Sequence, residues 1–358
     1  MIVWNQLFCV FRFTSAMVLC RLPPNNSSSS QAVAVSLVTT TQCERPRNVI
    51  DLVDLRQRRR QLERHLRQKR GAASSKRRVD DPANDNRMVD FTVCVSPLWG
   101  EQLDVRKLVE FIEVNRIFGA EKFVFYVESA GEEVIRCLQK YVGDGFVEVT
   151  LWNSIVVRDL YYHGQFLAIS ECLYRSMYRT RYLISQDLDE FIVPTEADSW
   201  QGMLDHIHIQ LSISSIDSIA SYNFRNLFIP LHTQMNTSAN VSYQNQHLLT
   251  LAHTYTDIYI YRWTDRSKVM ARPERILIWY VHEIYTSSLV VEGDVNYYVN
   301  ETDGLLFHYR DIEVTLSANP NRRMHKFADK ISSGVETGLE ICQKLTTHNL
   351  AKPEKKLN

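Results

Sequence analysis

The 358-residue chain has no excess of charge: 41 Lys and Arg residues balance 41 Asp and Glu. A field that would draw the whole protein to nucleic acid, an anionic membrane or a strongly acidic partner is therefore absent, and no nucleic-acid partner is expected. Seven cysteines occur without a single Cys-x-x-Cys pair, which excludes the usual zinc modules and thioredoxin-like dithiols. Cys94, Cys137, Cys172 and Cys342 fall in the folded part; an oxidising lumen would let some of them pair, whereas in cytosol they would be small buried hydrophobes. A clean membrane span is also missing. Residues 1–22 are apolar but interrupted by Asn5, Gln6 and Arg12, where a spanning helix needs about 20 apolar residues and a central charge costs about 2.5–3.5 kcal/mol. They read as a weak signal-anchor, an amphipathic leader or a misassigned start of the chain. No internal repeat is present.

What the chain does have is core-forming material, 45% hydrophobic with 11% aromatic residues, unevenly distributed. Residues 23–89 read as a basic stem or linker. Pro23 to Ser30 is low-complexity chain, and Arg56 to Arg78 carries eleven Lys or Arg residues against one acid, Glu63. Such a run reads as a solvated, disordered stem; an RNA, heparin or nuclear-import patch is the competing reading. Asn-x-Ser/Thr triplets at Asn25, Asn26, Asn236, Asn240 and Asn300 are compatible with a lumenal protein. Residues 346–358 read as a tail, which leaves residues 90–345 for one folded domain.

Within that domain apolar runs alternate with amphipathic stretches, the pattern of an α/β fold with a mostly parallel sheet. Strands are expected at Phe91–Val95, Lys122–Val127, Phe146–Trp152 and Tyr182–Gln186, and helices at about 104–118, after Gly131, and at 164–178. Beyond Trp200 the pattern turns α+β, with strands near 218–224, 258–263 and 275–281 and a final helix over 321–345. Leu231–Thr256 is polar and reads as a variable insertion or an acceptor-facing loop.

Asp187-Leu188-Asp189-Glu190 follows the fourth strand directly, and ligands of open α/β sheets bind beyond the carboxyl ends of strands. In an extended segment Asp187 and Asp189 would project to one side. Two hard oxygen donors so presented suit Mg²⁺ or Mn²⁺, which leave positions open for substrate phosphate oxygens. The apolar Phe191-Ile192-Val193-Pro194 that follows argues against a free surface loop. An isolated Asp-x-Asp is common in unrelated loops, and a lone His or Lys more often serves structure than chemistry.

Several motifs in order add specificity. Cys94-Val95-Ser96-Pro97-Leu98-Trp99-Gly100, Phe118-Gly119-Ala120, His163-Gly164-Gln165, Cys172-Leu173-Tyr174-Arg175, Asp187-Leu188-Asp189-Glu190-Phe191-Ile192, Ser267-Lys268, Pro273-Glu274 and His308-Tyr309-Arg310 together resemble the glycosyltransferase family 92 domain. The resemblance implies a GT-A-like nucleotide-sugar-binding fold with a C-terminal α+β acceptor part. It further implies inverting transfer of galactose from UDP-galactose to a glycan hydroxyl with β linkage, and a Golgi type II membrane protein whose catalytic domain is lumenal.

Carried over by position, Asp189 is the expected metal contact and Asp187 contacts the ribose or metal-bound water. His308, with His282 as the alternative, completes the Mn²⁺ or Mg²⁺ site. His163, Gln165, Lys268 and Arg310 are candidate donor contacts. His163 and Gln165 could instead cap the following helix, and Lys268 and Arg310 could instead pair with acids. Glu190, Asp265 and Glu283 are unranked candidates for the base that deprotonates the acceptor hydroxyl. A relative that has lost turnover and serves as a glycan-binding or assembly partner is the alternative function.

Overall fold

The computed structural model describes residues 89–152, 160–211, 213–232, 247–286 and 294–343, together with four short strands nearer the N-terminus. Those pair antiparallel, Ile2–Trp4 with Ala16–Val18 and Ala34–Ser36 with Val49–Asp51. The rest of the leader and basic stem, the acceptors Asn25, Asn26, Asn236 and Asn240, residues 233–246 of the polar insertion and the tail 346–358 lie outside the described residues. No helix among the described residues is long and apolar enough to cross a membrane.

Four apolar runs become strands β1 (Val89–Val95), β2 (Lys122–Val127), β3 (Val147–Leu151) and β4 (Thr180–Gln186). Between them lie helices α1 (Val105–Phe118), α2 (Glu132–Gly143) and α3 (Gln165–Ser176). Helix α1 starts where the Asp104 side chain accepts a hydrogen bond from Arg106 N and stops at Gly119, whose φ of 121° only glycine adopts without strain. The chain continues through β5 (Glu190–Pro194), α4 (Trp200–Ile209), β6 (Ile219–Phe224), β7 (Asn226–Pro230), β8 (Lys268–Ala271), β9 (Ile276–Trp279), β10 (Ile284–Thr286), β11 (Val295–Tyr298), β12 (Gly304–Arg310) and α5 (Ala328–Gln343).

The seven-stranded central sheet has the order β11-β6-β8-β4-β1-β2-β3. All its pairings are parallel except the two made by β8. Crossover helices cover both faces, so its central strands are apolar on both sides. Phe91, Val93, Phe123, Phe125, Tyr182 and Ile184 join one core cluster with α1, α2 and α5, while Cys94, Val124, Tyr126 and Leu183 join another with α3 and β9. Disulfides fasten each face: Cys94–Cys172 joins β1 to α3, and Cys137–Cys342 joins α2 to α5.

A second sheet decides where the site lies. Strand β5 leaves the main sheet after Gln186 and pairs antiparallel with β12, which pairs in parallel with β7. The register sets His308 directly opposite Glu190 and beside Phe228.

Three expectations change. The strand expected over 258–263 does not form; this segment's carbonyls at Ile260 and Tyr261 are taken by the Arg225 guanidinium at 2.7 and 2.9 Å, a side-chain solution in place of a ladder. The last helix begins at Ala328 and is described to Gln343, its expected first turn over 321–327 being taken instead by a 3₁₀ turn over Arg323–Phe327. Asp187 and Asp189 do not share one side of an extended segment: a tight turn closed by Glu190 N donating to Asp187 O at 3.1 Å separates them, because the chain changes sheets there.

Helix α5 crosses α1 and α2 at Gly338. A Cβ built there would meet Val109 Cγ1 at 2.6 Å and the Tyr141 hydroxyl at 2.7 Å. Gly338→Ala should therefore cost about 1–3 kcal/mol of stability through overpacking, despite the better helix propensity of alanine. Urea unfolding measures this, and a variant as stable as the parent would show that the helices can separate freely.

Candidate active site

The turn between β4 and β5 divides its acids between two sets of partners. Asp187 faces the main sheet. Its Oδ1 accepts a short hydrogen bond from the Ser96 hydroxyl at the end of β1 and another at 3.1 Å from Gln165 Nε2, which also donates to Ser96 Oγ at 2.7 Å. Its Oδ2 accepts from Lys268 Nζ at 3.0 Å. The same ammonium lies 3.0 Å from Glu190 Oε2, and that carboxylate also accepts from Asp187 N at 3.0 Å. Lys268 is fully buried, at 0% side-chain exposure.

One buried cation thus serves two carboxylates, and their proton affinities part. Burial pushes Asp187 up, but the Lys268 ammonium and the Ser96 hydroxyl outweigh it, and the carboxyl is held below its ordinary range. Glu190 loses that contest. Burial, with Asp187 adding repulsion, pushes it up to about 7 despite Lys268. Burial alone would lower the Lys268 pKa; the two acids raise it above its ordinary value.

Asp189 faces the other way. Its side chain is 44% exposed and its Oδ2 lies 3.5 Å from His308 Nε2; Tyr309 N fixes the turn by donating to Asp189 O at 2.8 Å. Buried His308 has its other nitrogen, Nδ1, 3.1 Å from Asn226 Oδ1 and 3.5 Å from Glu190 Oε1. With Nδ1 turned to those oxygens, Nε2 is the nitrogen that faces Asp189, the arrangement in which a second partner orients an imidazole for a metal. Among the described residues no three His, Cys, Asp or Glu side chains form a ready-made cage. A carboxylate and an imidazole nitrogen nevertheless fit Mn²⁺ or Mg²⁺, ions that take few protein ligands and fill their shell with water and phosphate oxygens.

A sequence profile described as Glycosyltransferase family 92 matches residues 89–342, which include every one of these side chains. The chain belongs to glycosyltransferase family 92. The Caenorhabditis elegans protein named "Beta-1,4-galactosyltransferase galt-1" is 32% identical over 107 residues, 29% of this chain and 25% of that protein. The Arabidopsis thaliana "Galactan beta-1,4-galactosyltransferase GALS3" is 27% identical over 228 residues, 62% of this chain and 41% of that protein. The chain thus spans less than half the length of these relatives. The solved structure of GalNAc-T7 with UDP, GalNAc and Mn2+ aligns with 84% of this chain and 62% of its own at 13% identity and a TM-score of 0.32; the family match carries the assignment without it. Its mostly parallel sheet with acids at a strand's carboxyl end is the GT-A-like arrangement the resemblance implied.

The remaining family 92 motif residues separate into those at the turn and those elsewhere. Gln165 reaches Asp187, so it does not cap α3, whose N-cap Gly164 makes no side-chain cap bond. His163 also leaves the helix end: its Nδ1 makes a short contact with Glu128 Oε2 at the end of β2, and its ring stands edge-on to Trp99 at 4.8 Å. Lys268 is taken up by acids and has no surface to offer a donor. His282 turns to the Ser267 backbone, Nδ1 3.0 Å from its carbonyl oxygen, so His308 is the histidine brought to the acids. Arg310 is exposed two residues beyond His308 and on the same face of β12.

Of the candidate bases, Glu190 is 1% exposed and bound to Lys268, while Asp265 and Glu283 are exposed. Ser96, Glu128 and Asn226 were not singled out by sequence reasoning. Ser96 lies inside a quoted motif and was open to discovery there, but nothing local marks Asn226, which meets His308 across 82 residues.

Proposed function

We propose that this family 92 protein is a metal-dependent, inverting glycosyltransferase that transfers galactose from UDP-galactose to a glycan hydroxyl with β linkage. The observation that carries the reading is the pair Asp189 and His308, a half-exposed carboxylate 3.5 Å from an imidazole nitrogen at the carboxyl end of β4 in a family 92 chain. The names of both relatives, each a beta-1,4-galactosyltransferase, support galactose as the sugar.

Asp189 and His308 would hold the cation, Mn²⁺ or Mg²⁺, with Asp187 alongside. When bound, it supplies positive charge against the diphosphate leaving group. The chain's own groups do the rest. Ser96, Gln165 and Lys268 fix Asp187 in its charged form, so the donor meets a carboxylate that needs no reorganisation. Arg310 would donate from its planar guanidinium to phosphate oxygens of the donor. Asp265 or Glu283 would take the acceptor proton, since Glu190 is committed to Lys268. The two disulfides support the oxidising lumen that a Golgi location behind an N-terminal anchor would provide.

The test is UDP release from UDP-galactose in the presence of glycans and Mn²⁺, set beside other UDP-sugars. Turnover should require galactose as the donor sugar, vanish on chelation and return with added Mn²⁺. An undiminished rate in chelator removes the metal; release from every other sugar but galactose removes the donor.

A further inference from the structure

Just before β8 the chain makes a loop over Arg262–Arg266 in which two residues bearing a Cβ, Thr264 at φ 71° and Arg266 at φ 58°, are left-handed. Such conformations persist where the surroundings over-determine them, and they gather at ligand-binding sites. Here the surroundings are explicit. Ser267 Oγ accepts from Thr264 N at 3.1 Å and donates to His282 O at 2.7 Å. The Arg225 side chain donates to the carbonyls of Ile260 and Tyr261 and pairs with Glu301 at 3.1 Å. The loop is clamped from both ends.

The loop exposes all five of its residues, and the aromatic one, Trp263, has an aromatic neighbour. Trp263 is 38% exposed and Tyr298, at the end of β11, 48%. Their rings lie 5.6 Å apart at 66°, with the Arg225 guanidinium 5.0 Å from the Trp263 ring centre. Polar groups border the pair, namely Arg225 itself and the half-exposed Glu301. The loop is also continuous with the active site. Arg266 lies 5.6 Å over the ring of Phe228, which packs 4.9 Å from His308, and the loop leads through Ser267 into Lys268. The exposed Asp265 sits in the same five residues.

We infer that Trp263 and Tyr298 form the acceptor subsite, the platform on which a pyranose ring of the acceptor glycan lies; this rests on the glycosyl-transfer reading above. A pyranose offers an apolar face of C–H groups and a rim of hydroxyls. A fixed aromatic pair edged by a guanidinium and a carboxylate matches both, and the clamped loop loses little conformational freedom on binding. A protein partner would want a broader apolar surface than two rings with charged borders.

The probe is a β-1,4-linked galacto-oligosaccharide, its binding to the whole protein followed by saturation-transfer NMR without any donor. Trp263→Ala and Tyr298→Ala should each raise its Kd about tenfold. Trp263→Phe, which keeps an aromatic face, should stay close to the parent, as should Tyr259→Ala, which removes a more exposed ring from outside the pair. Thermal unfolding of each variant verifies that it is folded. Oligosaccharide binding that survives both alanine changes, or its absence from the parent protein, overturns the subsite. UDP-galactose binding with Mn²⁺, measured on the same samples, should be unchanged by either substitution; a parent that fails there but binds oligosaccharide contradicts the donor reading and leaves the platform standing.

Discussion

Lys268→Met should lower the free energy of unfolding by about 3–5 kcal/mol at neutral pH, the cost of breaking a buried ion pair from one side. The ammonium is the cation that Asp187 and Glu190 share, at 3.0 Å from each. Methionine keeps most of the volume and removes the charge, leaving buried Glu190 and partly exposed Asp187 without their shared cation. The deficit should depend on pH. Glu190 already has a folded-state pKa near 7, above its unfolded value, so its neutral form is the one the fold favours. A raised pKa contributes stability below the unfolded value and loses it as pH rises through the folded one. Asp187, which Lys268 holds below the ordinary carboxylate range, keeps its part of the pair until the pH falls below that range, so the variant should lie closest to the parent below about pH 4 and fall furthest behind above about pH 7. Adding Glu190→Gln should recover part of the loss, since it removes one of the two repelling acids. Equal urea midpoints for parent and Lys268→Met at neutral pH would show that the triad is not what holds the turn.

Asp189→Asn should do the reverse, leaving stability within about 0.5 kcal/mol of the parent while cutting glycosyl transfer by about 10²–10³-fold, the scale seen when one charge-stabilising group is lost. Its carboxylate is 44% exposed and among the described residues lies 3.5 Å from His308, so folding leans on it little. The isosteric amide keeps the shape of the turn and removes the negative charge. Mn²⁺ affinity, read by calorimetry, should fall together with turnover. Unchanged turnover with Mn²⁺ would remove Asp189 from the site. The buried lysine and the carboxylate of Asp189 should thus give opposite results, the first chiefly in stability and the second chiefly in turnover.

Much of this was open to reading along the chain, for a local reason. The βα alternation from Phe91 to Gln186 is written in periods of two and of about 3.6 residues, with Asp104 and Gly119 marking the ends of α1, and every strand and helix expected there is formed. The acid cluster was visible because three carboxylates in four residues after an apolar strand are conspicuous. The expected strand at 258–263 failed because its backbone partners are a guanidinium and isolated carbonyls, which period-two patterning does not register. The side-by-side placement of Asp187 and Asp189 failed because a two-residue separation means one face only while the chain stays extended.

The sequence by itself determined the family, the α/β class and the position of the acidic turn, since each is carried by residues near one another along the chain. Only the tertiary structure decided which partners meet within that turn: Lys268 and Ser96 beside Asp187, His308 beside Asp189, Asn226 behind His308, and a clamped loop whose Arg266 lies over Phe228 next to His308. Those meetings depend on β5 leaving one sheet for another and on the register of β12 against it. Long-range pairing of this kind is fixed by how whole strands bury their faces together, and no local stretch of residues encodes it.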